Sequence, residues 1–467
     1  MSGCLHFTPE RRIDTAVASA ASAAPPELPA PATRPGKPAL ATLAPPAGKT
    51  LSLAALVDFA LRKSPLTRAA WYDARAAAAQ VGSREAAYYP VVEVDGQVQF
   101  QHQTAFGGKV VSDSANWGPA ATLSYLVLDL GGRAADVDEA RAQLAVANFT
   151  HGAALQDLVL KVEQAYYQLL AAKALREATA SNLREAETAL EAAVGRQRAG
   201  VATLADVLQA KTAASQARLT LRAAEGLAET AKGVLSAALG LPATFELEVG
   251  ELPATVAVRD LDKSVESLVA EAERQRPELA AARGQVARAE AHTRSVWSAG
   301  LPNLLFAGSA NRQLYLNPST TAYGDNYGAQ LLLRVPVFDG FRDTYNNRQS
   351  EEAVQAALAR VEATEQQVVL QVWTSYQALR TATQRVGVAR DLLDSAKASA
   401  DVATGRYEAG AGTLVDLLIA QAALSSARAQ EVQSRADYLV ALAELAHDTG
   451  ALGPRSVGRA AQGEATP

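Results

Sequence analysis

Apolar and polar positions along this chain change period in a fixed order, and they do so twice. From Leu51 to Tyr89 the apolar residues recur at helical spacing, with Leu53, Leu56, Val57 and Ala60 three or four apart. Ser64-Pro65 interrupts this run and suits the first turn of a second helix, which stops at Pro90. The period then falls to two: Val92, Val94, Val98 and Phe100 alternate with Glu93, Asp95, Gln97, Gln99 and Gln101. Successive side chains of a strand point to opposite faces, so this spacing predicts a strand with one apolar and one polar face. A second strand is predicted at about 119–129, with Leu123, Tyr125 and Val127 on one face, after a Gly/Ser/Asn-containing loop over 104–118.

A long helical stretch follows. From about Arg133 to Arg198 there is no proline, and Ala, Leu, Glu, Gln and Arg dominate. About 65 residues at 1.5 Å rise make a rod of roughly 95 Å. Its apolar residues (Leu155, Leu158, Val162, Ala165, Leu169, Ala172, then Leu183, Ala186, Leu190) read as a coiled-coil seam, with alanine permitting close backbone approach. A Gly-containing turn at 199–203 reverses the chain into a returning helix that reaches Leu239.

The whole order then recurs. Gly195-Arg196, Gly200, Thr203-Leu204, Asp206 and Leu208 return as Gly405-Arg406, Gly410, Thr413-Leu414, Asp416 and Leu418, 210 residues later. Pro65, Pro90 and Gly96 return as Pro277, Pro302 and Gly308, 212 residues later. In the second copy Leu304, Phe306 and Ala310 face opposite Ser309 and Asn311, and a loop is predicted over 316–326. Ala329, Leu331, Leu333, Val335 and Val337 then alternate with Gln330, Leu332 and Arg334. A rod from about Arg342 to Tyr407 turns at 409–413 and returns to about Leu445. A duplication of this length implies two copies of one structural unit. The predicted organisation is an Ala/Pro-rich tether over 1–50, a first repeat over 51–262, a second over 263–450 and a disordered tail over 451–467.

Composition narrows the function classes. A net charge of −5 without a basic block argues against a nucleic-acid partner. The single cysteine, Cys4, excludes an intramolecular disulfide framework and a cysteine-cluster metal site. No apolar run is long enough for a transmembrane helix. The start, Met1-Ser2-Gly3-Cys4, has no apolar leader, yet Ser-Gly-Cys is what remains of a lipoprotein cleavage site when the upstream part is missing. Cys4 is therefore read either as a lipid-anchored mature N-terminus or as a free cysteine. Gly48-Lys49-Thr50 resembles the tail of a phosphate-binding loop, but Leu43 stands where the first glycine is needed. His6, His102, His151, His292 and His447 have no ligand spacing, and no nucleophile motif is present. The chain is not expected to be an enzyme, and no cofactor or metal is expected.

Four strands cannot close a barrel, and an open sheet leaves edges that hydrocarbon does not tolerate. A lipid-facing sheet must close by association, and a ring of three chains would supply twelve strands. The polar face Glu93/Asp95/Gln97/Gln99/Gln101 suits a wet lumen. Tyr88, Tyr89, Phe100, Trp117, Tyr125, Tyr323, Tyr327 and Phe338 are expected near strand ends, as interfacial aromatics. An ordinary half-buried soluble sheet shows the same alternation, but it has no use for two such long hairpins. Trp71, Trp297 and Trp373 read as packing residues.

This layout, together with Leu126-Val127-Leu128-Asp129-Leu130-Gly131-Gly132-Arg133, Val335-Pro336-Val337-Phe338-Asp339-Gly340-Phe341-Arg342 and the turn pattern R-x3-G-x5-D-x-L, resembles the TolC-type outer-membrane factors over about residues 51–450. The resemblance implies a mainly α fold with a transmembrane β-barrel: a homotrimer with a twelve-strand outer-membrane barrel and a twelve-helix periplasmic α-barrel. Each chain would give four strands and two long helical hairpins. It implies an exit duct in the outer membrane of a Gram-negative bacterium, extending into the periplasm. The duct would work with a periplasmic adaptor protein and an inner-membrane ABC or proton-driven transporter, in type I protein (toxin) secretion or small-molecule efflux. The alternative is a periplasmic coiled-coil adaptor or scaffold.

By the same resemblance, Tyr407 and Asp416 match periplasmic gate positions. Gly412 stands where that pattern has an arginine, and Ile419 where it has a second aspartate. Asp416 and its twin Asp206 also read as helix-capping residues. Gly200, Gly410 and Gly412 would permit tight turns. Thr203-Leu204 and Thr413-Leu414 would present a small apolar bump at each tip for an adaptor.

Overall fold

The computed structural model describes residues 51–105, 107–256, 263–317 and 320–452. Cys4, the tether, and nearly all of the tail lie outside the described residues. The element order repeats: helices α1 (Leu53–Lys63) and α2 (Pro65–Glu85), strands β1 (Val91–Ala105) and β2 (Val110–Leu128), and helices α3 (Gly132–Arg198) and α4 (Leu204–Ala238). The second copy is α5 (Val265–Gln275), α6 (Pro277–Ala299), β3 (Asn303–Asn317), β4 (Thr320–Arg334), α7 (Arg342–Glu408) and α8 (Leu414–Asp448). Both long helices contain 67 residues and both returning helices 35. The chain divides into two compact units, one holding 73–149 and 280–363, the other 150–279 and 364–452 with 51–72.

The first unit contains one antiparallel sheet in the order β1-β2-β3-β4. The register aligns the faces across all four strands. Val94 opposes Ala121, Ala121 opposes Ala310, and Ala310 opposes Tyr327. Val92, Leu123, Val98, Trp117, Leu314 and Tyr323 share that face, because directly opposed residues point the same way. The other face carries Glu93, Asp95, Gln97, Gln99 and Gln101 beside Thr122, Asn116 and Ser114, then Ser309, Asn311 and Asn326. Two polar pairs, His102–Asp113 and Arg312–Asp325, interrupt the apolar face. In this single chain the apolar face is bare: Val94 is 76% and Tyr327 89% exposed.

The strands run further than the loop residues suggested. The expected loops over 104–118 and 316–326 are largely strand, with Gln101 opposing Ser114 and Asn311 opposing Asn326. Phe100, Trp117 and Tyr327 consequently lie inside strands rather than near their ends. Val335 and Val337 fall past the end of β4. Pro119 lacks an N–H, and the β2–β3 ladder skips it together with Gly118. A Cβ on Gly118 would stand 1.8 Å from the Arg312 carbonyl oxygen, so only glycine fits there.

Each β-to-α corner uses two consecutive left-handed residues. Leu130 (φ 51°) and Gly131 (φ 104°) turn β2 into α3, and Gly340 (φ 73°) and Phe341 (φ 67°) turn the chain into α7. Asp129 Oδ2 accepts the Arg133 N–H, and Asp339 Oδ2 accepts the Asp343 N–H at 2.8 Å, which caps each rod at its first turn. Arg133 also lies over the Tyr88 ring.

In the second unit the predicted seam is buried: Leu155, Leu158, Val162, Ala165, Leu169 and Ala172 all face inward. All of these except Leu155 pack with α1 (Leu56, Val57, Ala60), the end of α4 (Leu235) and the linker residues Leu241, Leu247 and Val249. Each fully buried Leu or Val contributes about 1.5–3 kcal/mol. Leu183 and Leu190, placed on the same seam, are only half-buried. A second core joins α5, α7 and α8 through Leu268, Val372, Leu379 and Tyr438. Of the tryptophans read as packing residues, Trp71 is buried against His151, whereas Trp297 and Trp373 are at least half exposed.

Candidate functional site

The two hairpin tips carry the residues singled out in the sequence, and local chemistry builds both in the same way. Gly200 (φ 78°) and Gly410 (φ 75°) adopt the left-handed conformation that ends α3 and α7. Val201 N–H donates to the Arg196 carbonyl at 3.0 Å and Ala411 N–H to the Arg406 carbonyl at 2.8 Å, closing the helix ends. Thr203 and Thr413 then cap the returning helices. Thr203 Oγ1 accepts the Asp206 N–H at 3.2 Å, while Asp206 Oδ2 accepts the Thr203 N–H at 2.8 Å and its hydroxyl at 2.7 Å. Thr413 and Asp416 repeat this capping box, with the threonine hydroxyl donating at 2.8 Å. Bonds from these threonines hold both carboxyls below the ordinary aspartate range. Asp206 and Asp416 therefore stay ionised at neutral pH.

The tips differ in what they expose. Leu204 is 64% exposed, and Val201 and Leu208 flank it openly. Leu414, its counterpart, is only 4% exposed, so the expected apolar bump exists at the first tip and not at the second. Leu414 and Leu417 pack with Tyr407 against Ala189, Ala193 and Ala210 of the first hairpin. Tyr407 is thus inside the protein, and the guanidinium of Arg196 lies over its ring, 4.4 Å from the centroid. Arg196 opens the turn pattern R-x3-G-x5-D-x-L, but nothing in the sequence marks it as a partner of Tyr407. Gly412 leaves little room for a side chain: a Cβ there would stand 3.1 Å from Arg406 Cβ and 3.2 Å from the Tyr407 nitrogen. Ile419 is exposed beside Asp416.

The strand residues Glu93, Asp95, Gln97, Gln99 and Gln101 lie on one face, open to solvent, in the first unit. The tips and this face offer fixed carboxylates, amides and a small apolar knob. Such groups suit conduction and docking.

Comparison with known proteins bears on this arrangement. Residues 56–241 and 268–451 each match the family model described as "Outer membrane efflux protein". The chain is 30% identical over 419 residues to "Protein CyaE" of Bordetella pertussis, covering 88% of this chain and 87% of that protein. It is 26% identical over 334 residues to "Outer membrane protein TolC" of Vibrio cholerae, covering 69% of this chain and 74% of that one. Among solved structures, the outer-membrane channel OprN superposes with a TM-score of 0.77 at 19% identity, covering 92% of this chain and 99% of OprN. The outer membrane protein VceC of Vibrio cholerae gives 0.73 at 20% identity, covering 85% and 96%.

Proposed function

From the membership of this chain in the outer membrane efflux protein family, we propose that three copies form the outer-membrane exit duct of a tripartite export system. The single observation carrying this reading is the sheet. Four strands leave the outer edges of β1 and β4 unpaired, and one face is largely apolar and bare. In lipid, both edges must be satisfied, and pairing β1 of one copy with β4 of the next does so. The opposite face, with Glu93, Asp95, Gln97, Gln99 and Gln101, then lines a wet lumen.

The hairpins form the periplasmic continuation, and their tips meet a periplasmic adaptor that couples the duct to an inner-membrane transporter. The exposed Val201–Leu204–Leu208 surface supports contact at the first tip. A ring of Asp416 carboxylates from three copies makes the entrance cation-selective. The cargo is a polypeptide moved by type I secretion. This rests on the extent of similarity to Protein CyaE, along nearly the full length of both chains. Family membership and two matched hairpin–strand repeats weigh against an adaptor or scaffold.

Chemical crosslinking of detergent-solubilised membranes tests the assembly, and planar-bilayer recording tests the pore. The expected result is a crosslinked trimer with stable, cation-selective conductance. A monomer, or recovery in the soluble fraction without detergent, would overturn the reading.

A further inference from the structure

Away from the tips, three separate elements of the second unit bring ligand-type side chains together. Asp157 on α3, Glu278 in the first turn of α6 and His447 near the end of α8 each place a carboxylate oxygen or ring nitrogen within 4.8 Å of the others. His447 is largely buried; its Nε2 lies 3.0 Å from Asp157 Oδ1 and its Nδ1 3.0 Å from Asp448 Oδ1. When Nδ1 donates its proton to Asp448, Nε2 is the nitrogen left to ligate an ion on the Asp157 side. A carboxylate behind the far nitrogen is the arrangement that orients metal-binding imidazoles and raises their basicity.

Charge points the same way. Arg276, 5% exposed, grips Glu278 through bonds of 3.2 and 3.1 Å and stands 4.0 Å from Asp448. Formally, the three carboxylates and one guanidinium around the imidazole leave an excess of two negative charges. A proton on Nε2 removes one of them, whereas a divalent cation removes both. A mixed nitrogen–oxygen donor set with one imidazole suits a zinc-class ion, while calcium and magnesium favour oxygen donors alone.

We propose that Asp157, Glu278 and His447 form a binding site for a divalent transition-metal cation of the zinc class, with Asp448 and Arg276 supporting it from behind. Ligand atoms about 2.1 Å from one tetrahedral zinc stand roughly 3.4 Å apart, so separations of up to 4.8 Å must close by up to about 1.4 Å. Asp157, bonded to His447 at 3.0 Å, has a side chain that is 66% exposed and so has room to adjust. Three protein ligands leave the fourth position to water. The bound ion would tie α3, α6 and α8 together. This site does not depend on the duct reading. The sequence concealed it because its ligands come from positions far apart in the chain.

The test uses the full chain, purified in detergent, stripped with chelator and dialysed against Zn²⁺, followed by metal analysis and calorimetry. One zinc per chain is expected. Asp157→Asn and His447→Gln should each weaken binding at least about tenfold, and Asp448→Asn by roughly 10–100-fold as an orienting partner. Asp157 is exposed, so its asparagine variant remains informative if His447→Gln fails to fold. Glu225→Gln, on α4 beside Arg222 and away from the cluster, should leave zinc binding unchanged. Wild-type protein that binds no Zn²⁺, binds Mg²⁺ equally well, or binds Zn²⁺ unchanged after Asp157→Asn would overturn the proposal.

Discussion

Arg196 stacks over Tyr407 and so fastens the end of α3 to the end of α7, two segments that the sequence separates by a whole repeat. A cation over an aromatic face contributes about 0.5–2 kcal/mol, more when desolvated, and Tyr407 is buried. Arg196→Ala should therefore loosen the second hairpin tip and raise the fraction of time the pore conducts by about two- to thirtyfold. Tyr407→Phe, which keeps the ring, should behave as wild type, and Tyr407→Ala should resemble Arg196→Ala. Single-channel recording checks this. Equal open times for Arg196→Ala and wild type would show that the stack has no part in closure.

Capping and selectivity at Asp416 can be separated. Thr413→Ala removes the cap but keeps the charge, and should cost about 0.5–2 kcal/mol of stability with cation selectivity unchanged. Asp416→Asn removes the charge and should lower cation-over-anion permeability. Reversal-potential measurements under a salt gradient distinguish the two. If Asp416→Asn leaves the reversal potential where it was, capping is its whole role.

The unequal tips predict unequal tolerance. Leu204→Asp places a charge on an exposed site, so the protein should fold normally but lose capture of an adaptor in crosslinking and lose export. Leu414→Asp buries a carboxylate among Tyr407, Leu417 and Ala210, and should destabilise by about 3 kcal/mol or more. Thermal melts and crosslink yields read the difference. Normal adaptor capture by Leu204→Asp would remove the docking role.

Glu163 supplies a pH dependence. Burial in the second unit pushes its carboxyl up to about 7; burial also raises the Tyr167 hydroxyl, and the nearby Glu163 adds to that. The folded protein thus holds a proton that the unfolded chain releases at ordinary glutamate pH. The stability that this proton contributes is fully present below about pH 4.5 and is lost as pH rises toward 7. Above pH 7 the charged form costs up to ~3 kcal/mol. Glu163→Gln should melt higher than wild type at pH 8 and flatten the slope between. Parallel melting curves for the two proteins across this range would contradict the assignment.

Much of this was legible because duplication and helical period are strong signals. The rods expected from Arg133 to Arg198 and from Arg342 to Tyr407 are Gly132–Arg198 and Arg342–Glu408. The strand ends were not legible. Ser112, Ser114 and Asn116 look like loop chemistry, yet Ser114 and Asn116 occupy the polar side of β2 opposite Gln101 and Gln99. A wet strand face and a loop draw on the same residues, and only cross-strand pairing separates them. Asp206 and Asp416 were legible as caps because Thr-x-x-Asp lies within one turn. The Arg196–Tyr407 stack and the His447 cluster were hidden because their parts meet only after the two hairpins pack.

The burial of Leu414 beside the exposure of Leu204 means that the duplicated arms have divided their labour. One fingertip is folded into the palm and the other is held out. Exchanging the two tip segments would leave an oily knob with nothing to grip on one side and an unfilled socket on the other.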